Sequence, residues 1–345
     1  MASVPQPWND EVEMISGREF HKFSVRHGVY RLPVDETEED RLDKVHSILT
    51  SWEDFGGLIL PDPTEVKLSA VLDCGCGSGA WADAISDEYA DGEDISVVGV
   101  DLYPPKQCEY LDFQRWNLNA PFRLDQGVLS ERYTFINSRF LANGIDAARW
   151  PSYIQDMYGR LRSGGWLQMT EAYMNIQSDN GRRDEAPSLG RWWHLFSTAL
   201  EQQGRDPRVG TTVVHANQRS WANLKALMTQ AGFDCIQERH PRLPIGGWKP
   251  GASRYIGERV FDLMRGTLES LGLWACCRVH GMSAQSFTDL LDECVQEMSN
   301  ADLHLYIQFY SVWGQKPGHG RRQSKSTRRS SQVLDQTMPP PSIGR

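Results

Sequence analysis

The sequence predicts an α/β fold: a mainly parallel sheet flanked by helices. Three observations lead there. Short apolar runs at residues 68–73, 95–101, 133–137 and 166–171 alternate with stretches of helical periodicity. A glycine-rich turn, Asp73-Cys74-Gly75-Cys76-Gly77-Ser78-Gly79, joins the first run to the helix after it. Near the end, Leu303, Leu305, Ile307, Phe309 and Ser311 alternate with His304, Tyr306, Gln308 and Tyr310, which suits an antiparallel edge pair more than a buried parallel strand.

The elements follow in order. After a polar leader and Tyr30-Arg31-Leu32-Pro33, residues 35–54 place Leu42, Val45, Ile48, Leu49 and Trp52 on one helical face. Residues 68–73 (LSAVLD) are nearly continuously apolar, as a strand buried on both faces should be. A helix is expected over about 80–89, strands over 95–101 (ISVVGVD) and 113–117, and a fourth over 133–137 (YTFIN). Trp150, Tyr153, Ile154, Met157, Tyr158 and Leu161 form a helical stripe that Ser163-Gly164-Gly165 should end, and residues 166–171 (WLQMTE) read as the fifth strand. Beyond Glu171 come one helix around Leu189, Trp192, Trp193, Phe196 and Leu200, another around Trp221, Leu224, Leu227 and Met228, and strands at 233–240 and 303–313. The sixty residues between those strands carry helical stripes near 255–271 and 287–298, too long an insertion for a plain hairpin and better suited to a cap over about 241–300. The chain therefore divides into an N-terminal helical segment (1–67), an α/β domain with its cap (68–316) and a basic tail (317–345).

Composition narrows the function. The 345 residues are 40% hydrophobic and 23% charged, ordinary values for a globular protein with a sizeable core. No apolar run reaches the ~18 residues of a membrane span. The first thirteen residues carry Asp10, Glu11 and Glu13 without an apolar segment, so no secretory signal is expected. Seven cysteines without a Cys-x-x-Cys pair suggest reduced thiols and an intracellular, cytoplasmic setting, and Cys74 and Cys76 lack the second pair that a zinc site needs. The net charge is −9, but residues 316–345 hold seven basic side chains against Asp335 alone, leaving −15 on the body. Such a body is a poor surface for nucleic acid. The tail, GHGRRQSKSTRRSS at 318–331, is expected to be disordered, and it reads either as a solvated tail or as a nuclear-import signal.

The glycine turn carries the chemistry. In an open α/β sheet it lies at the carboxyl ends of the strands, where ligands bind. Asp101 ends the second strand 22 residues beyond Gly79. A carboxylate there accepts from both ribose hydroxyls, so an adenosine ligand is indicated. Gly75-x-Gly77-x-x-Ala80 also satisfies the dinucleotide pattern. Asp73, just before the glycines, argues against a pyrophosphate and for a cationic ligand: S-adenosyl-L-methionine carries a sulfonium and an ammonium and no phosphate. Glu171 ends the fifth strand on the same face, where it would serve as a general base or bond neighbouring amides. His194, His215, His240 and His280 lie in or near the expected cap and are further proton acceptors. Trp192, Trp193, Trp221 and Trp248 read first as packing and secondly as a wall for a flat substrate.

With these segments together, the chain resembles the class I S-adenosylmethionine-dependent methyltransferases, and more narrowly the fungal LaeA-like family of secondary-metabolism methyltransferases. The resemblance rests on Tyr30-Arg31-Leu32-Pro33-Val34-Asp35-Glu36 with Glu39-Asp40-Arg41-Leu42 and His46, the loop 73–79, Val100-Asp101-Leu102, Asn137-Ser138-Arg139-Phe140-Leu141, LRSGGW at 161–166, and Trp313-Gly314-Gln315-Lys316-Pro317. It implies a Rossmann-like sheet of seven strands with the last antiparallel, and methyl transfer that leaves S-adenosylhomocysteine. It further implies cofactor contacts from Asp73, Gly75, Gly77, Gly79 and Asp101, packing of Leu102 on the adenine, and an adenine contact at Asn117 and Leu118, where Asn117 replaces the family's usual Asp but keeps one carbonyl acceptor. Ser138 and Arg139 would stand at the rim where substrate meets methyl donor. The expected partner is a small organic substrate in secondary-metabolite biosynthesis, methylated on oxygen or nitrogen. The alternative is a nuclear regulator of metabolite gene clusters with regulatory protein partners. No metal is expected.

Overall fold

The computed structural model describes residues 10–89, 95–105, 111–122, 133–211 and 223–318. His215, Trp221 and the basic stretch from residue 319 onward lie outside the described residues. In chain order the elements are β1 (Val12–Ile15), β2 (Arg18–His21), α1 (Lys22–Arg26), α2 (Glu36–Ser51), β3 (Ala70–Cys74), α3 (Ala80–Tyr89), β4 (Ser96–Asp101), β5 (Asp112–Arg115), β6 (Tyr133–Arg139), α4 (Trp150–Arg160), β7 (Leu161–Ser178), α5 (Pro187–Gln202), α6 (Leu224–Ala231), β8 (Asp234–Arg239), β9 (Arg242–Pro244), α7 (Ala252–Leu273), α8 (Ala284–Met298) and β10 (Leu305–Gln315).

The main sheet runs β5-β4-β3-β6-β7-β10-β8, with β9 also paired to β10. β3 to β7 are mutually parallel, and β10 is antiparallel to β7, β8 and β9. This is the expected α/β architecture with one reversed strand. β3 is buried along its whole length, in keeping with its apolar run. One face of the sheet packs on α4 and α6 through Tyr153, Ile154, Met157 and Met228. The other packs on α3 through Trp81, Ala82 and Ile85. A third core, with Leu49, Trp192, Val260, Leu268 and Leu290, joins α2, α5, α7 and α8 above the ends of β7 and β10.

Three expectations are corrected. The N-terminal segment, expected to be helical, also forms the β1–β2 hairpin. Its two-residue turn has Ser16 at φ 50° and Gly17 at φ 84°, the two positive values that match the twist of paired strands. The fifth strand begins at Leu161 rather than Trp166 and runs on to Ser178. Leu161 pairs with Tyr133 and Trp166 with Phe135, so the glycines of Ser163-Gly164-Gly165 loop out of a strand already under way. Finally, β10 is not at the sheet's edge. It is flanked on both sides and buried along almost all of its length, whereas β8 is the largely exposed strand beyond it. A polar side chain in its buried run is accommodated by pairing: Ser311 Oγ lies 3.0 Å from Oγ1 of its cross-strand partner Thr170.

Register in the sheet centre places three polar side chains in a row. Asp73 on β3 faces Asn137 on β6, and Asn137 faces Gln168 on β7. Gln168 Oε1 accepts from Leu60 N at 2.9 Å, so its amide must donate: to Leu58 O and to Asn137 Oδ1, both at 2.9 Å. Asn137 is thereby oriented to donate from Nδ2 to Asp73 Oδ1 at 2.7 Å. Every member is at most 2% exposed, so each bond is made in a low-dielectric interior. Replacing Gln168 by Leu keeps the volume but strands Leu60 N–H and Asn137 Oδ1. The expected loss of unfolding free energy is about 1–3 kcal/mol for each stranded group, measured by urea denaturation, and an unchanged midpoint would refute the relay.

Candidate functional site

The glycine loop turns sharply because its backbone is bonded to the neighbouring strand end. Gly75 N and Cys76 N both donate to Val100 O, at 2.7 and 3.2 Å. Gly75 sits at φ 73°, and a Cβ there would come 2.3 Å from Leu141 Cδ2. A Cβ on Gly79, at φ 86°, would meet the Phe113 ring at 2.6 Å. No other residue type fits these two positions without displacing the walls around them. Gly77 N then donates to Asp101 Oδ2 at 3.1 Å, while Tyr103 N donates to Asp101 Oδ1 at 3.0 Å. Each carboxylate oxygen keeps a second lone pair for a ligand hydroxyl.

A cavity of about 200 Å³, partly open to solvent, lies over this loop. At one end it is lined by Asp73, Gly75, Gly77, Ser78 and Asp101. The opposite walls come from α2, α5 and α7 and are largely apolar, with Leu49, Phe196, Val260, Met264 and Leu271, closed by Ile307 and Phe309 of β10. Burial pushes the Asp73 carboxyl up to about 6, against the lowering pull of Arg139 and of the Asn137 hydrogen bond. Asp101 is raised by burial as well, with the backbone N–H groups of Tyr103, Gly77 and Leu102 and the Arg115 charge opposing.

The fit to an adenosine-bearing cation is direct. The loop leaves backbone where a side chain would intrude, and its acids offer negative charge to a sulfonium or ammonium. Asp73, Gly75, Gly77, Asp101, Arg139 and Glu171 line the one cavity, and Gly79 closes the turn beneath it. Other expected residues stand elsewhere. Leu102 is buried and outside the cavity wall, and Leu118 belongs to the core against α4. Asn117 Oδ1 accepts from Asn119 N at 3.0 Å, closing a local turn rather than facing the cavity.

Ser138 is not at the rim. Strand alternation turns Asn137 and Arg139 one way and Ser138 the other, into the core, where its Oγ lies 3.1 Å from Tyr153 Oη. The histidines expected near the cap are likewise elsewhere: His194, His240 and His280 are exposed, and His280 Nε2 lies 2.9 Å from Leu195 O. Trp192 is core, bonded to Leu268 O, and Trp248 stacks on His304. The side chains the cavity does present, missed by periodicity alone, are Tyr30 and His46, both within the N-terminal motif. Burial and the nearby Glu38 and Asp101 carboxylates keep the Tyr30 phenol protonated far above its ordinary range. Burial and the Arg139 charge push His46 down to about 4.

Glu171 is fully engaged. Its Oε1 accepts from Leu141 N at 2.8 Å and its Oε2 from Ala142 N at 3.1 Å. It thus pins the loop after β6, where Phe140 is held at φ 59° and Leu141 packs on Gly75. Burial pushes its carboxyl up to about 8, against these two donors. A pKa raised on folding contributes stability that is present below the unfolded value of 4.5 and lost as pH rises toward about 8. Glu171→Gln should flatten this part of the Tm-against-pH curve and lower Tm at pH 5, because the new amide turns a donor toward one of the two N–H groups. A variant that keeps the wild-type slope would show that Glu171 is not the group titrating.

The model of the methyltransferase domain family matches residues 47–238. The secondary metabolism regulator laeA of Aspergillus fumigatus is 28% identical over 312 residues, spanning 88% of this chain and 76% of the relative. The protein-methionine methyltransferase laeA of Emericella nidulans is 25% identical over 342 residues, spanning 92% and 84%. The methyltransferase pytC of Aspergillus terreus is 27% identical over 309 residues, spanning 87% of each chain. The glycine loop, its two acids and β3 to β7 all fall inside the matched residues, and the chain belongs to the methyltransferase domain family as an S-adenosylmethionine-dependent enzyme.

Proposed function

We propose that the protein methylates a small, largely apolar organic molecule of fungal secondary metabolism. The observation that carries this is the shape of the cavity: a polar end at the glycine loop continuous with an apolar chamber under α2, α5 and α7. Such a chamber holds a ligand by hydrophobic burial and keeps water from the transfer step. S-Adenosylmethionine supplies an activated methyl group on its sulfonium. The roles of the chain's residues are positional. Asp101 takes the ribose hydroxyls, with Gly77 N–H fixing its orientation. Asp73, held by Asn137, sets negative charge beside the loop. Gly75, Gly77 and Gly79 let the backbone approach. Glu171, through Leu141 and Ala142, shapes the wall between the loop and the chamber and acts as a positioning residue.

A second reading has its own support. Two of the relatives are named a secondary metabolism regulator and a protein-methionine methyltransferase. On that reading the chain is a nuclear regulator that methylates protein, and the basic stretch 318–331 directs import. Among the described residues no helix is long and apolar enough to cross a membrane.

The test is a partition of label. Purified protein is incubated with radiolabelled S-adenosylmethionine and an extract of the fungus that makes it, and solvent-soluble compounds are separated from protein. Label in the compound fraction is expected, and label confined to protein would overturn the small-molecule reading in favour of the regulator. Asp101→Ala should weaken S-adenosylhomocysteine binding by about 10- to 100-fold, as the loss of hydrogen bonds to a charged group of about 1.5–3 kcal/mol implies. Calorimetry measures this, and undiminished affinity would remove Asp101 from the cofactor site.

A further inference from the structure

Arg139 is a cation without a counter-ion. It ends β6 inside the protein, and among the described residues no carboxylate lies within ion-pair distance of it. Burial destabilises its charge, and Asp73 steadies it only through space. Its contacts are the Phe140 ring, 6.0 Å from the guanidinium carbon, and His46 Nδ1, 3.4 Å from Nη2. A guanidinium only donates, so His46 Nδ1 is the acceptor and the ring proton sits on Nε2. Both side chains line the cavity. The corner therefore holds one uncompensated positive charge and one neutral N–H donor, and an unpaired cation in such a partly desolvated site is costly. The cavity's acids are already occupied: Asp73 by Asn137, Asp101 by Gly77 and Tyr103, Glu171 by Leu141 and Ala142, and Glu38 by Arg41.

We propose that Arg139 and His46 form a seat for a carboxylate, with the guanidinium as charge partner and the imidazole Nε2–H as a second donor. The proposal rests on the reading of this cavity as the cofactor and substrate chamber. Two carboxylates could fill it. One is the amino-acid carboxylate of the cofactor, whose ammonium would then lie toward Asp73. The other is an acid group on the substrate. In that case the acceptor is itself an anion, the O–CH3 bond forms as the S–CH3 bond breaks, the electron pair stays with sulfur, and no proton has to be removed.

Calorimetry on the full chain separates the cases without knowledge of the substrate. The probes are S-adenosylhomocysteine, methylthioadenosine (which lacks the amino-acid group) and, on protein saturated with S-adenosylhomocysteine, a panel of benzoate, cinnamate and decanoate against their neutral amides. If the cofactor fills the seat, Arg139→Gln weakens S-adenosylhomocysteine about tenfold or more, leaves methylthioadenosine unchanged, and is partly rescued in Arg139→Lys. If the substrate fills it, Arg139→Gln leaves both nucleosides unchanged and abolishes a preference for carboxylate over amide that the wild type shows. His46→Leu should reproduce either effect in smaller measure, since it removes one donor and spares the charge. Unchanged methylthioadenosine binding shows that the variants are folded. If Arg139→Gln shifts neither S-adenosylhomocysteine nor a carboxylate preference, or if methylthioadenosine is lost in parallel, the seat is disproved. Retained cofactor affinity in Asp101→Ala would instead count against the site reading beneath it.

Discussion

A row of buried amide hydrogen bonds crosses three neighbouring strands, from the Leu58 and Leu60 backbone through Gln168 and Asn137 to Asp73. It gives direction to side chains that could otherwise point either end outward. Because a backbone N–H anchors one end, every amide in the row has a defined sense, and the row terminates in a carboxylate that accepts. The parallel register of β3, β6 and β7 brings the three residues abreast. An acid is thereby held at the carboxyl end of the sheet, where buried charge is costly and where the glycine loop begins. Without the row, Asp73 would be an isolated carboxyl in a hydrophobic layer.

The same economy governs the rest of the cavity. Asp73, Asp101 and Glu171 on its wall are tied to backbone or amide donors, and those ties do structural work: Asp101 orients the glycine loop and Glu171 fastens the loop after β6. The chemistry of a methyltransferase suits such a site. The reactive group arrives on the cofactor, and the protein's task is to fix the geometry of the two reactants and exclude water. The division of the cavity into an acidic floor and an apolar roof assigns these tasks to different parts of the chain. The floor comes from the sheet's strand ends, and the roof from helices α2, α5 and α7, which are far apart in sequence.

Much of this was legible from local pattern. The apolar runs, the glycine spacing and the acid closing the second strand are all properties of a few consecutive residues, and strand-end positions put them on one face by geometry alone. The late alternation marked a reversed strand for a related reason, since pairing direction leaves a local trace. Its place between β7 and β8, rather than at the edge, depends on partners more than sixty residues away, and no local pattern records them.

The sequence by itself determined the α/β class, the reversed last strand, the glycine turn and the presence of Asp73, Asp101 and Glu171 at strand ends, because backbone conformation and period-two burial are short-range constraints. Only the tertiary structure decided what these side chains face. It turned Ser138 into the core, put Asn117 into a local turn, spent Glu171 on two backbone amides, and brought His46 from α2 against Arg139 from β6. Contacts of that kind join residues up to 93 positions apart, and they are fixed by packing rather than by spacing along the chain.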